Sequence, residues 1–248
     1  MHNKSLFYKR VALALCLLLI LLTLAYVFRI PVFMRVLTRI RGKQTLEQRL
    51  ETYGPAARGR LKPVFEASGI SYPPEKLVFV GLKQEKTLQI YASNGEGFKY
   101  VMSYPILAAS GTIGPKLREG DRQVPEGVYR ITYLNPNSLY HLALRVGYPN
   151  DFDQAKGSAD GRVELGQDIM IHGSNCSVGC LAMGDQTSED LFVLAADTGI
   201  ANIQVILSPV DFRKTDVDRT GLSLPVWIDE LYTEIKEKLK GLPAPMGN

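Results

Sequence analysis

The sequence predicts an α+β protein that is mainly β: a β-sandwich or partly closed barrel of mixed strands with peripheral helices, preceded by an N-terminal transmembrane helix. An uncharged apolar run lies near the start of the chain. Short β-rich runs separated by turn residues fill its middle, and an amphipathic helical pattern lies near its end.

The first element is the apolar run from Val11 to Phe28, which contains no charged residue. As a helix it would be about 27 Å long, which suits a bilayer. Lys4, Lys9 and Arg10 precede it and the signal for cleavage is poor, so residues 1–43 predict a membrane anchor with basic flanks; a removed signal peptide is the alternative. More Lys and Arg follow the run than precede it, so charge does not fix its orientation.

The net charge of +4 comes from this N-terminal segment. Residues 1–43 hold 8 of the 29 Lys and Arg and no Asp or Glu, which leaves 21 basic against 25 acidic residues, a net of −4, in the rest. A domain of this charge lacks the basic stripe that phosphate contacts require, so a nucleic-acid partner is not expected.

A helical spacer is predicted next, over residues 44–76. A capping box formed by Thr45 and Gln48 predicts a short helix through Tyr53. Pro55 suits the first turn of a second helix that reaches about Ser68.

Strands are predicted from Leu77 onwards, in a domain over residues 77–213. Within it, the pattern from Thr187 to Asp197 predicts a helix with Thr187 as its N-cap. The C-terminal segment, residues 214–248, is predicted to form a helix from about Val226 to Lys240 and a tail. The predicted strands are 77–82, 87–92, 98–104, 127–134, 140–146, 168–171 and 203–207.

The most informative motif runs from Ile169 to Met183, IMIHGSNCSVGCLAM. It places His172 eight residues before Cys180, with Ser177 and Gly179 in the turn between them. A strand that leads into such a turn holds an imidazole and a thiol at hydrogen-bonding distance, so that a thiolate nucleophile forms beside its base. The alternative is that both are ordinary core residues.

This motif resembles the catalytic signature of the L,D-transpeptidase (YkuD-type) family, and its compact H-G-x(6)-C spacing resembles the YafK-type branch. GPKLREGDRQVPEGVY and GYPNDFD, at residues 114–129 and 147–153, are similar to further segments of that family. The resemblance covers residues 77–213 and implies an L,D-transpeptidase-type sandwich or barrel.

The resemblance also implies roles for the motif residues. Cys180 is the expected nucleophile and His172 its base, with the backbone carbonyl of Gly173 holding the ring. Backbone N–H groups at positions 178 to 180 are expected to stabilise the oxyanion, while Gly179 allows the tight turn and Ser177 fixes it. The residues expected to bind substrate are Arg122, Tyr129, Tyr148, Asn150 and Arg213.

A peptidoglycan-modifying enzyme without a cofactor is the function that the resemblance implies, with roles in cell-wall biogenesis and cell shape. The substrate would be a stem peptide attacked at meso-diaminopimelate, and the thioester would pass to an amine acceptor. Hydrolysis by the same site, releasing D-alanine or a peptidoglycan-linked lipoprotein, is the alternative. The location implied is the bacterial inner membrane, with the catalytic domain in the periplasm.

Two further interpretations belong to other classes. His172, Cys176 and Cys180 have the ligand types of a zinc site, although a fourth ligand is not evident nearby. The domain is alternatively a wall-binding module without catalysis. A Cys176–Cys180 disulfide would silence the nucleophile, so Cys180 is expected to be a free thiol.

Overall fold

The computed structural model describes residues 13, 15–19 and 42–245, and the chain divides into two compact units, residues 1–44 and 45–248. Residues 13 and 15–19 are helical. The rest of the predicted span lies outside the described residues. Among those described, no helix is both long and apolar enough to cross a bilayer.

A mixed sheet of nine strands forms the framework of the second unit. The strands are β1 Lys76–Leu82, β2 Thr87–Ser93, β3 Lys99–Pro105, β4 Ala108–Ala109, β5 Gly127–Ser138, β6 His141–Val146, β7 Met170–His172, β8 Leu181–Ala182 and β9 Ile203–Ser208. Their order across the sheet is β3-β2-β1-β9-β5-β6-β7-β8-β4. The pairs β1/β9 and β7/β8 are parallel and the others antiparallel.

Four α-helices and one 3-10 turn accompany the sheet. They are α1 Leu46–Ala67, α2 Asp151–Ala159, α3 Asp185–Thr198, the 3-10 turn Ile200–Asn202 and α4 Ile228–Lys240. The predicted α+β class, with a mixed sheet and several helices, is confirmed.

Strand β1 shows why the helices lie on both faces of the sheet. Leu77 and Phe79 belong to the core that α1 and α3 complete, while Val78 and Val80 point to the opposite face, into the core that α4 covers. Alternate side chains of a strand point to opposite faces, so a strand buried on both sides must be apolar throughout. This explains why β1 carries no polar side chain after the exposed Lys76.

Helix α1 corrects the prediction of two helices. Thr45 and Gln48 form the predicted capping box, but the helix continues through Pro55 to Ala67. Its buried residues Gly54, Ala57, Leu61 and Phe65 recur every three or four positions and form one apolar stripe. Packing of this stripe outweighs the hydrogen bond that a proline removes, which local sequence does not indicate.

Helix α2 and the start of α3 also differ from the prediction. Helix α2 was not predicted, although Asn150 and Asp153 form a second capping box at its start. Helix α3 begins at Asp185 after Gly184, so Thr187 lies inside the first turn and is not its N-cap. The two-residue strands β4 and β8 are too short to give a periodic sequence signal.

Candidate active site

The β7–β8 ladder brings the segments that carry His172 and Cys180 next to each other. His172 is paired with Ala182 in parallel register. Cys180 lies in the bend directly before β8, next to Leu181, which is paired with Ile171. The backbone N–H of Met170, two residues before His172, donates to Cys180 Sγ at 3.4 Å. Parallel pairing thus joins two groups that lie eight residues apart.

The imidazole of His172 is held in one tautomer. Its Nδ1 lies 2.6 Å from the carbonyl oxygen of Gly173. A carbonyl only accepts, so Nδ1 carries the proton of the neutral ring and Nε2 has a free lone pair. Burial lowers the pKa of His172 below its ordinary value, and the bond to Gly173 opposes this effect. At neutral pH the ring is therefore a neutral base.

An aromatic ring covers this imidazole. The rings of Tyr140 and His172 are stacked, with centroids 4.8 Å apart and planes inclined by 29°. Tyr140 is 46% exposed, whereas His172 is only 2% exposed. Tyr140 therefore stands on the solvent side of the base, a contact that sequence reasoning did not predict.

The thiol of Cys180 is turned toward the backbone at the start of β7. Sγ accepts from the Met170 N–H and donates to the carbonyl of Asp168, 3.7 Å away. Burial raises the pKa of Cys180, and the charge of Asp168 adds to this, against opposing effects of the Met170 hydrogen bond and of Lys116. The expected hydrogen bond to His172 is absent within the described residues. With its pKa raised, the thiol is protonated at neutral pH in this arrangement.

The turn before Cys180 is fixed by two serine hydroxyls. Ser177 Oγ accepts from the Cys180 N–H at 3.0 Å and donates to the Cys180 carbonyl. Gly179 has a φ of 84°, in the left-handed region that suits glycine, and its N–H donates to Ser110 Oγ. Two of the three expected oxyanion donors are thus occupied in this structure.

Ser110 was not predicted as a site residue. It follows β4, and its hydroxyl donates to the carbonyl of Arg122 at 2.6 Å while accepting from Gly179. Ser110 and Gly179 are 69 residues apart and meet because β4 pairs with β8. Local sequence carries no signal for such a contact.

The backbone of Arg122 lies beside the turn before Cys180. The Arg122 side chain is exposed. Its backbone carbonyl carbon would lie 4.0 Å from a Cβ at Gly179. By contrast, Lys116 in the same segment is 7% exposed and forms an ion pair of 2.6 Å with Asp121. Arg122 is thus an exposed cation whose backbone lies next to the turn.

The other four predicted substrate-binding residues are engaged inside the protein. The buried Tyr129 and Tyr148 donate to the carbonyls of Glu126 and Leu165, respectively. The Asn150 side chain caps α2 and donates to Val128, and Arg213 forms hydrogen bonds with Asp211, Tyr91 and Gln89. The structure thus gives these four side chains internal contacts and not a groove surface.

The surroundings of Cys176 and Cys180 bear on two alternatives, a disulfide between them and a zinc site. Cys176 and Cys180 are free thiols, and Cys176 Sγ lies 3.8 Å from Ser174 Oγ. Within the described part of the chain, no three His, Cys, Asp or Glu side chains are grouped so that they could hold a metal ion. The zinc interpretation therefore has no geometric support from His172, Cys176 and Cys180.

The fold and the site together define an α+β domain with a histidine on, and a cysteine beside, a parallel strand pair of a mixed sheet. Residues 75–211 match the family described as YkuD, the L,D-transpeptidase catalytic domain. The chain belongs to this family.

Among its curated relatives are two Escherichia coli proteins, from strains K12 and O157:H7, both named "Putative L,D-transpeptidase YafK". Each is 38% identical over 141 residues, or 55% of this chain and 54% of the relative. The match thus spans about half the length of these relatives.

Solved structures with similarity include the helical cell shape determining protein Pgp2 from Campylobacter jejuni, at 23% identity and a TM-score of 0.45, covering 54% of this chain and 48% of that one. Mycobacterium tuberculosis L,D-transpeptidase 1 is 17% identical with a TM-score of 0.32, covering 54% and 62%.

Proposed function

We propose that this protein is a peptidoglycan-modifying L,D-transpeptidase in which Cys180 is the nucleophile and His172 the general base. The observation that carries the proposal is the position of Cys180 beside β7, where its Sγ accepts from the Met170 N–H two residues before His172, together with the Nδ1 proton of His172 held by Gly173. This leaves Nε2 as the proton acceptor for the thiol.

The proposed reaction begins when Sγ turns from the carbonyl of Asp168 toward Nε2 of His172 and transfers its proton. The thiolate attacks the carbonyl carbon at the L-centre of meso-diaminopimelate in a stem peptide. The C–S bond forms, the C–N bond breaks, and the leaving amine takes the proton from His172. An acceptor amine then attacks the thioester, loses a proton to His172 and releases Cys180, which recovers that proton.

The oxyanion site has to be completed during this reaction. The Gly179 and Cys180 N–H groups donate to serine hydroxyls at rest. We propose that both hydroxyls rotate away when a substrate carbonyl arrives, because an oxyanion is a stronger acceptor than a hydroxyl. Arg122, exposed beside this turn, is the proposed partner for a substrate carboxylate.

The nucleophile is tested by intact-mass spectrometry of the full chain after exposure to a carbapenem, and separately to tetrapeptide muropeptides. We expect a covalent adduct on Cys180 that is lost in Cys180→Ala and kept in the matched control Cys176→Ala. His172→Ala should slow adduct formation by about 10²–10⁴-fold. An adduct that persists in Cys180→Ala, or none in the unmodified chain, would reject the assignment.

Product analysis of the muropeptide reaction separates the fates of the thioester. A crosslinked or amine-exchanged product identifies the proposed transferase, whereas a trimmed stem peptide identifies the hydrolase. Release of a peptidoglycan-linked lipoprotein is assayed in the same way. Binding of muropeptides without any product would favour a non-catalytic wall-binding module.

The proposed location is the inner membrane, with residues 11–28 as a single-pass anchor and the catalytic domain in the periplasm. It is motivated by the uncharged apolar run and by the proposed substrate. A C-terminal fusion to a reporter that is active only in the periplasm should give a signal. Activity from a cytoplasmic reporter alone would refute this orientation.

A further inference from the structure

The turn between β5 and β6 carries an aromatic side chain onto the proposed catalytic base. Tyr140 precedes β6, and its ring lies against the imidazole of His172 at a centroid separation of 4.8 Å. Tyr140 is nearly half exposed, while His172 is 2% exposed. The tyrosine thus takes the position that water would occupy on that face of the imidazole.

Contacts outside the imidazole hold this turn in place. The Tyr140 N–H donates to Ser138 Oγ at 3.0 Å, and His141 Nε2 lies 2.9 Å from Glu189 Oε1 on α3. A Cβ placed on Gly173 would lie 2.8 Å from the carbonyl oxygen of Tyr140. The turn is therefore anchored to α3 and packed against the residue that fixes the tautomer of His172.

A stacked ring at this place has two physical effects on the base. It excludes water from one face of the imidazole, and it opposes rotation of the ring out of the plane in which Nδ1 meets the carbonyl of Gly173. Both effects require an aromatic ring. Neither requires the phenol hydroxyl.

Nearby titratable groups do not account for the state of the imidazole. Those near it include Tyr140 and, beyond Gly173, Asp185 and the His141–Glu189 pair, and none of them is among the causes of the shift in its pKa. Burial is the main cause of the lowered pKa of His172, with the Gly173 hydrogen bond opposing it. Removing the cover should therefore raise this pKa toward its ordinary value of about 6.5.

We propose that Tyr140 is a positioning residue for His172: its ring keeps the base dry and fixes its plane, so that Nε2 stays directed to the side of Cys180. This inference rests on the proposed function, in which His172 accepts the thiol proton.

The test compares Tyr140→Phe, Tyr140→Ala and the control Tyr133→Ala, which removes another half-exposed tyrosine, from strand β5. Two quantities are measured in the full chain: the rate of acylation by a carbapenem against pH, and the titration of the His172 ring by NMR, assigned with His172→Gln. Thermal unfolding shows whether each variant is folded.

We expect Tyr140→Phe and Tyr133→Ala to keep the acylation rate within about threefold and to leave the His172 titration unchanged. Tyr140→Ala should lower the rate by about tenfold or more and raise both the NMR midpoint and the acid limb of the pH profile. A folded Tyr140→Ala variant with an unchanged midpoint would overturn the proposal. A Tyr140→Phe variant as impaired as Tyr140→Ala would overturn it too, because the hydroxyl would then be the active part.

The NMR titration keeps the two proposals separable. If the unmodified chain forms no adduct on Cys180 but the His172 midpoint rises in Tyr140→Ala, the proposed function fails and the role of Tyr140 as a cover stands. If Cys180 forms an adduct but the His172 midpoint is unchanged in Tyr140→Ala, the proposed function stands and the role of Tyr140 as a cover fails.

Discussion

Asp153 is predicted to make the stability of the domain depend on pH. Its side chain is 8% exposed and accepts the N–H of Asn150 at the start of α2, with the Tyr129 hydroxyl 3.5 Å away. Burial raises the pKa of Asp153 from 3.8 to about 6, against the opposing effect of these hydrogen bonds. The substitution Asp153→Asn keeps the shape of the side chain and removes the charge.

The sign follows from proton binding. Between pH 3.8 and about 6 the folded state binds more protons at this site than the unfolded chain, so the free energy of unfolding falls as pH rises through this window. The pKa of Asp153 is about two units higher in the folded state, which corresponds to a loss of roughly 3 kcal/mol in the free energy of unfolding. The full loss is reached above the folded pKa. About half of it, roughly 1.5 kcal/mol, lies between pH 7.5 and pH 5.

Urea denaturation at several pH values measures this effect. The stability of Asp153→Asn relative to the unmodified protein should be greater at pH 7.5 than at pH 5, by roughly 1.5 kcal/mol. Asp151→Asn, also in the first turn of α2 but exposed, is the matched control and should show no such trend. If Asp153→Asn and the unmodified protein have parallel pH profiles, the carboxyl is not the titrating group.

Three further substitutions test other parts of the structure. Gly173→Ala should reduce acylation of Cys180 by at least tenfold, measured by mass spectrometry, because a Cβ would lie 2.8 Å from the carbonyl oxygen of Tyr140. Glu126→Ala should lower the free energy of unfolding by roughly 3–5 kcal/mol in urea, because it leaves the buried Lys83 without its ion-pair partner. Asn150→Ala should cost about 1 kcal/mol in the same assay, because the N-cap of α2 is lost.

Each of these predictions has a control or an outcome that would contradict it. Gly59→Ala, where a Cβ would meet nothing within 4 Å, should leave acylation unchanged. The double substitution Lys83→Met with Glu126→Leu should be less destabilising than Glu126→Ala, and the reverse order would contradict the argument from an unpaired buried charge. Equal stability of Asn150→Ala and the unmodified protein would mean that the capping hydrogen bond contributes nothing net.

Local patterns in the sequence predicted those parts of the structure that depend on neighbours along the chain. The capping box of Thr45 and Gln48 and the apolar runs of the longer strands are of this kind. The spacing of His172 and Cys180 predicts a shared site; β7–β8 pairing brings their segments together, while the thiol is hydrogen-bonded to Asp168 instead of His172.

Features that depend on distant segments could not be predicted in this way. Continuation of α1 through Pro55 depends on its packing against the core, and Ser110 reaches Gly179 only through the pairing of β4 with β8. The cover over His172 likewise comes from Tyr140 in a turn that precedes it by 32 positions. Neither the orientation of the Cys180 thiol nor its raised pKa is encoded in the spacing of the motif.

Helix α1 has a practical consequence for the design of shorter fragments. The family match begins at residue 75, but Leu61 and Phe65 are fully buried in the same core as the sheet, and Arg58 forms an ion pair of 2.6 Å with Asp197 on α3. A fragment cut at the start of the match would lack α1. The apolar core surface that Leu61 and Phe65 cover would then face water, and such surfaces promote aggregation. An expressed fragment should therefore begin at or before Thr45, so that it contains the whole of α1 and its N-cap.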